Sequence, residues 1–235
     1  MFGEKRLEYY KGSLIMADTH LHEQVFALIS QNIAKGRKIL VFGSGQGAMD
    51  QRLKDHGYEI LSADRDPDGF KASTELVAMD FNDFEKMNHF ANEYAHGFDA
   101  VLSLEIIEHI ENVYLYFDVI GKVLKQNGFI FVTTPNVTSW LSRLRFLFKG
   151  ELLSFSDKAF TEYGHIHPLT ESELTKIVRQ KGFDELRIYP GGLLPKLWLA
   201  GKMKSMMLHF LGFMLRPLMR GKKDGWCIIM QATKK

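Results

Sequence analysis

The chain has 235 residues, 46% of them hydrophobic and 25% charged, and a formal net charge of +2. That length suits one large α/β domain, not two full ones, and the near-neutral charge excludes an overall polyanion-binding character. The single cysteine, Cys227, lies in an apolar run; it excludes an internal disulfide and reads as a small buried hydrophobe. The first ten residues are charged and aromatic without an apolar stretch of signal-peptide length, so the expectation is a cytoplasmic protein in a reducing environment.

In chain order, Asp18-Thr19 can cap a helix whose apolar residues Leu21, Val25, Leu28, Ile29 and Ile33 form one stripe. Residues 1–36 then read as a helical cover, either over a ligand or only over the core. Strands are expected at Lys38–Gly43, Glu59–Ala63, Thr74–Ala78, Phe98–Leu104, Phe129–Thr133, Glu185–Tyr189 and Trp226–Ala232. Helices fall between them at about Gln46–His56, Asp83–Tyr94, Val113–Leu124 and Ser172–Lys181, the last followed by Gly182 as a C-cap. This alternation predicts an α/β, doubly wound sheet with helices on both faces, as a single domain over residues 1–235. Residues 191–225 interrupt it as a basic amphipathic insertion between the last two strands.

The strand Ile39–Phe42 runs into Gly43-Ser44-Gly45-Gln46-Gly47, and Asp64 follows nineteen positions after Gly45, at the end of the next apolar run. Glycines there allow positive φ and bring backbone amides at a helix start close to a ligand. A carboxylate at the tip of the second strand can accept both hydroxyls of a ribose. The pattern describes a site for an adenosine-containing cofactor. Gly43-x-Gly45-x-x-Ala48 satisfies the dinucleotide rule, while Gly43-x-Gly45-x-Gly47 fits the looser rule of methyl-transfer enzymes, so the turn by itself leaves both open.

The segment Phe98-Asp-Ala-Val-Leu-Ser103-Leu104-Glu105-Ile-Ile-Glu108-His109 reads as a buried strand running out into three polar side chains. With it, the chain resembles the class I S-adenosylmethionine-dependent methyltransferases, particularly the small-molecule branch that includes the ubiquinone-biosynthesis O-methyltransferases. Ile39–Gly47 resembles their glycine loop, Asp64 their ribose-binding acid, and Met79-Asp80-Phe81 the segment that contacts adenine. Val123–Gly128 with Phe129–Thr133 and Thr134-Pro135-Asn136 is similar to their helix, turn and fifth strand. His165-Ile-His-Pro-Leu-Thr-Glu-Ser-Glu-Leu, with Lys181-Gly-Phe183, is similar to the approach to the sixth strand. The resemblance covers roughly residues 20–190 and the last strand. It implies a seven-stranded sheet with the last strand antiparallel, and cofactor contacts from Gly43, Ser44, Gly45, Gly47, Asp64, Arg65, Asp80, Phe81, Ser103 and Leu104. Val41 departs from the family by replacing an acidic residue that helps order the glycine turn, which bears on cofactor affinity more than on fold; Ser44, where cysteine or another small residue is common, is a minor change.

The function implied is methyl transfer from S-adenosylmethionine to an oxygen of a small-molecule or lipid-linked acceptor. The alternatives are an NAD-dependent oxidoreductase and a non-catalytic module that binds cofactor or membrane. His109 is the candidate base because an imidazole titrates near neutrality, with Glu105 and His165 as further catalytic candidates. Glu105, Glu108 and His109 share one face if their segment is helical, and some relatives use such a Glu-x-x-Glu-His, with or without a later histidine, to hold a divalent ion. Glu105, Glu108, His109 and His165 are therefore the candidate ligands for Mg²⁺ or a softer metal, against the alternative of no metal at all. His167, His20 and His22 are weaker candidates.

Between Glu185 and Asp224 there is no acidic residue, while Lys196, Lys202, Lys204, Arg216, Arg220, Lys222 and Lys223 lie there. Ala200, Met203, Met207, Phe210, Met214 and Leu218 are spaced as one helical stripe, with Lys202, Ser205, His209 and Arg216 largely opposite. Its longest charge-free run, Ser205–Leu215, is far shorter than the roughly 20 residues that span a bilayer. Residues 194–222 either cover the active site or rest on an anionic membrane, which would make the protein peripheral at the inner membrane face. No nucleic-acid partner is expected, since the basic residues are interleaved with aliphatic side chains more than with an aromatic platform.

Overall fold

A computed structural model describes residues 7–18, 20–194 and 203–235, without the side chains of Lys204 and Ser205. Thr19, Lys196, Ala200 and Lys202 lie outside the described residues. The chain begins with a hairpin that the sequence pattern did not announce, β1 (Glu8–Tyr10) and β2 (Ser13–Ile15), turned by Lys11 and Gly12, both at positive φ. Positive φ at both central residues is the geometry of the tight hairpin turn that matches strand twist. The helix α1 (Leu21–Asn32) follows. Its N-cap is His20, in the left-handed region with no side-chain cap, and not the expected Asp18-Thr19 pair. Asp18 instead uses its carboxylate to accept the Leu193 amide at 2.8 Å.

Seven strands form the main sheet in the order β5 (Glu75–Ala78), β4 (Glu59–Asp64), β3 (Lys38–Phe42), β6 (Phe98–Leu104), β7 (Leu124–Pro135), β9 (Cys227–Lys234), β8 (Phe183–Gly191). Only β9 is antiparallel to its neighbours. The expected sheet is therefore present, with β7 and β8 longer than the apolar runs suggested. The strands β3 and β6 are almost wholly buried and read as near-continuous apolar runs, as a parallel sheet covered on both faces requires; β7 joins them from Gly128 on, after an exposed start at Gln126 and Asn127.

One face carries α3 (Phe84–Glu93), α4 (Val113–Val123) and α7 (Glu171–Gln180) over Phe42, Phe98, Tyr116, Phe117 and Phe183; the other carries α1 and α2 (Ala48–Asp55) over Ile39, Val41, Leu102 and Phe131. Helix starts follow side-chain caps: Asp83, Asn112 and Thr170 each accept an amide from the first turn. Gly182 ends α7 as expected, at φ +84° with its amide on the Arg179 carbonyl.

Two helices absent from the sequence reading, α5 (Trp140–Lys149) and α6 (Asp157–Tyr163), follow β7. The basic segment contributes α8 (Met203–Leu215), which packs on α5 through Leu208, Leu211 and Leu215 against Trp140, Leu141 and Leu144. The stripe Met203, Met207, Phe210, Met214 and Leu218 is exposed, and His209, expected opposite it among the polar residues, stacks edge-on against Trp140.

Candidate active site

The parallel strands β3, β4, β5, β6 and β7 all point their C-terminal ends to one edge, and the residues singled out from the sequence gather there. Strand β3 ends in the turn Gly43–Gly47, whose three glycines have φ of +77°, +51° and +80°. Gly43 and Gly47 are closed to a side chain, and Gly45 is crowded only by the end of one methionine. A Cβ on Gly43 would lie 2.2 Å from Ile106, one on Gly47 2.5 Å from Ala72, and one on Gly45 3.3 Å from the Met16 sulfur. Leu104, the last residue of β6, turns its carbonyl toward the same point, 3.4 Å from a Cβ on Gly43.

Asp64 pins this turn. Its Oδ2 accepts the Gly45 amide at 2.7 Å and its Oδ1 the Asp66 amide at 3.0 Å. A carboxylate has about four lone-pair sites, so capacity for two ribose hydroxyls remains. Asp80 is exposed at the end of β5 and accepts the Asn82 amide; Arg65 is exposed beside Asp64. Phe81 is buried against Phe42, with ring centroids 5.0 Å apart, and Ser103 is buried with its hydroxyl 2.8 Å from that of Tyr116. Both of these side chains pack in the core beneath the strand ends. The hairpin closes over the turn from the other side: the Leu14 amide donates to Gln46 Oε1, and Tyr10 donates to Asp55 on α2.

Below the turn lies a residue that the sequence did not mark. Asp50, on the first turn of α2, is fully buried and accepts hydrogen bonds from Ser44 Oγ at 2.7 Å and Ser62 Oγ at 2.5 Å, with Thr74 completing the chain beyond Ser62. Ser44 is thus no trivial change. Through Asp50 it ties the glycine turn to Ser62 on β4, while Val41 on β3, buried in the core, supplies no carboxylate. Burial raises the Asp50 carboxyl from 3.8 to about 6, against the two hydroxyls that lower it.

A pKa raised on folding means that the native state holds a proton which the unfolded chain has lost. Stability therefore falls as pH rises from about 4 to about 6, and the deficit stays constant above that. Asp50→Asn is expected to gain on the wild type over that interval by on the order of 3 kcal/mol, and to show a fixed difference outside it. Urea melts of both proteins at pH steps across the interval measure this. A difference independent of pH would contradict it.

Beyond β6, Glu105 adopts φ +53°, in the left-handed region. This corrects the expected helical face: the helical turn starts only at Ile107 and runs to His109. The Glu105 carboxylate faces back into the sheet, accepting Thr133 Oγ1 at 3.0 Å and the Cys227 thiol at 3.3 Å. Glu105 is not part of the cluster formed by its expected companions. One ligand atom each of Glu108, His109 and His165 lie within 4.8 Å of one another.

The chain between α6 and α7 brings His165 to His109. The Ile166 and His167 amides both donate to the Glu108 carbonyl, at 2.9 and 3.0 Å, and His167 Nδ1 meets the Ile110 carbonyl at 3.1 Å. His109 Nδ1 lies 3.1 Å from the Gly164 carbonyl and His165 Nδ1 2.7 Å from that of Ser154. A carbonyl can only accept, so each Nδ1 carries the proton and each Nε2 keeps its lone pair. Burial holds both imidazoles below the usual histidine pKa, with His165 and Arg65 adding to the effect at His109. Glu108 is fully buried, and neither carboxylate oxygen has a hydrogen-bond partner among the described residues. Burial first and the Glu105 charge second push its carboxyl well up. Burial thus favours the uncharged form of all three groups. His20 and His22 belong to the start of α1, outside this cluster.

The methyltransferase domain family matches residues 17–187 of the chain. The chain belongs to this family. Its sheet is that of the class I, S-adenosylmethionine-dependent methyltransferases, which sets aside the nicotinamide reading that the glycine turn allowed. Among curated relatives, this methyltransferase is 27% identical over 135 residues to the mitochondrial ubiquinone biosynthesis O-methyltransferase of Rattus norvegicus, a match covering 52% of this chain and 38% of the relative. The ubiquinone biosynthesis O-methyltransferase of Rhizobium etli is 26% identical over 155 residues, covering 64% and 61%. The chain thus spans less than two thirds of these relatives. Among solved structures, a SAM-dependent methyltransferase from Archaeoglobus fulgidus superposes with a TM-score of 0.64 at 18% identity, over 91% of this chain and 94% of that one. Phosphoethanolamine N-methyltransferase 2 of Haemonchus contortus, in complex with S-adenosyl-L-methionine, gives 0.60 at 16% identity, over 94% of this chain and 54% of that one. At such identities these structures establish the fold.

The residues at the strand ends fit that cofactor. The glycine turn leaves no space for a side chain at Gly43 or Gly47, and Asp64 retains lone pairs after pinning it.

Proposed function

We propose that the protein transfers the methyl group of S-adenosylmethionine to an oxygen of a small-molecule or lipid-linked acceptor placed beside His109. The observation that carries this reading is the position of the Glu108–His109–His165 cluster. It lies on the exit of β6, at the same sheet edge as the glycine turn and Asp64. The cofactor supplies a methyl group that is already electrophilic. The protein's part is to hold the acceptor in line, exclude water and take its proton. Asp64 would hold the ribose, the Gly45–Gly47 backbone the amino-acid end, and Asp80 the adenine side. His109, with Nδ1–H fixed on the Gly164 carbonyl, offers Nε2 as the base, and His165 orients it edge-on at a ring separation of 4.9 Å. The relatives named as O-methyltransferases support oxygen as the acceptor atom.

The cluster also supports a second reading, because two histidines and a carboxylate within one coordination sphere are ligands suited to a divalent ion. Both Nδ1–H groups are bound to carbonyls, the outer arrangement that orients a ligating imidazole. Glu108, His109 and His165 would hold the ion, which would lower the pKa of an acceptor hydroxyl.

One experiment tests both. Cell metabolite and lipid extracts are incubated with methyl-labelled S-adenosylmethionine and the wild-type protein, or His109→Ala, with and without EDTA. Label is expected in an alkali-stable ether product, with a rate about 100-fold lower for His109→Ala, the smaller end of what a positioned base contributes. An EDTA-sensitive rate restored by Mg²⁺ or Co²⁺ selects the ion, and an insensitive one the base alone. No labelled product in any extract, under either condition, overturns the proposal.

A further inference from the structure

α8 buries the wrong face for a simple active-site cover. Its residues divide into two apolar stripes at helical spacing. Leu208, Leu211, Gly212 and Leu215 turn inward onto α5, where a Cβ on Gly212 would lie 2.4 Å from the Trp140 ring. Met203, Met206, Met207, Phe210, Phe213 and Met214 turn outward and are all more than half exposed. α5, which α8 packs against, ends in the same way: Phe146, Leu147 and Phe148 are 56%, 68% and 63% exposed. A protein surface in water rarely carries this many large apolar side chains on two adjoining helices without a partner.

Charge identifies the partner. Between Glu185 and Asp224 there is no acidic residue, and Arg220 and Lys149 flank the two helices in exposed positions. Flexible thioethers and phenylalanines on one side, with cations at the margin, match an interface that is apolar within and anionic at its surface. Among the described residues no helix is long and apolar enough to cross a membrane. The arrangement is that of a helix lying in the interfacial plane.

The platform is fixed to the catalytic edge. Asn136, just past the end of β7, donates to the Lys222 and Asp224 carbonyls at 2.7 and 2.9 Å, and the Trp140 amide donates to the Lys223 carbonyl at 2.9 Å. Glu171 accepts the Lys222 amide at 3.0 Å. Whatever binds α8 is thereby held at the strand ends where the glycine turn and His109 lie.

We propose that the outer stripe of α8 and the end of α5 dock the protein on an anionic lipid bilayer. This deepens the proposed function only in its acceptor class: a lipid-borne acceptor would reach the site from the bilayer. The docking itself does not depend on methyl transfer.

The test is co-sedimentation of the full chain with vesicles of phosphatidylcholine alone or of phosphatidylcholine with phosphatidylglycerol. The wild type is expected to pellet with the anionic vesicles, much less with the zwitterionic ones, and less again at high salt. Met207→Glu with Phe210→Glu, both at exposed positions, is expected to lower the bound fraction at least about tenfold. Arg220→Ser with Lys149→Ser is expected to remove the preference for anionic vesicles. S-adenosylmethionine binding, measured by calorimetry, is expected to be unchanged in both variants, which separates loss of docking from loss of fold or cofactor site. Equal sedimentation of the Met207→Glu, Phe210→Glu variant and the wild type would overturn the proposal. So would a wild type that ignores both vesicles and elutes as a dimer that these substitutions dissociate.

Discussion

Asp64→Ala is expected to weaken S-adenosylmethionine binding at least about 100-fold, because in the proposed site one carboxylate would serve the turn and the ligand together. Hydrogen bonds to a charged group are worth about 1.5–3 kcal/mol each, and the substitution removes the acceptor for the Gly45 amide along with the two ribose contacts proposed for it. Asp64→Asn keeps one acceptor oxygen and is expected to lose about tenfold. Thermal unfolding separates binding from stability. Asp64 is half-exposed at a strand tip, so the alanine variant should melt within a few degrees of the wild type. An alanine variant that binds the cofactor as tightly as the wild type would remove Asp64 from the site.

Gly43→Ala is expected to cost about 2–4 kcal/mol of stability. Part of this is the left-handed backbone at φ +77°, worth about 1–2 kcal/mol for a residue with a Cβ. The rest is collision with Ile106, whose Cγ1 and Cδ1 both stand 2.2 Å from the new atom. Ile106→Ala removes the second term and leaves the first. The double variant should therefore be more stable than the sum of the two single losses predicts, by about 1–2 kcal/mol. Urea denaturation of the four proteins measures the coupling. Strict additivity would mean that Ile106 does not close over the turn.

Much of the frame was legible because local signals and global fold agree. The runs Ile39–Phe42 and Phe98–Leu104 are continuous and apolar, as strands buried on both faces must be, and glycines followed by a distant aspartate mark the strand ends. The α5 helix had signals that were passed over: Ser139 caps it, Gly150 ends it at φ +69°, and Trp140, Leu141 and Leu144 share a face. In the β1–β2 hairpin, two short strands meet at Lys11-Gly12, a signal too short to compete with the charged residues around it.

Other features had no local signal. Asp50 reads as an ordinary acid on a helix start; only the packing of α2 on β4 puts it beyond water and against Ser44 and Ser62. His109 meets His165 from 56 positions away, because the Glu108 carbonyl collects two amides from the later segment. Glu105 left the expected face because of one positive φ, which periodicity cannot show. The α8 helix is apolar on two sides, so spacing found a stripe but could not say which stripe faces the core; α5, itself unrecognised, decides that.

We propose that the glycine turn pinned by Asp64 holds S-adenosylmethionine, and calorimetric titration of the purified chain with S-adenosylmethionine, and separately with NAD, is the decisive measurement. Saturable binding of S-adenosylmethionine at one site per chain, with no heat from NAD, is the predicted result. Binding of NAD with none of S-adenosylmethionine would contradict it.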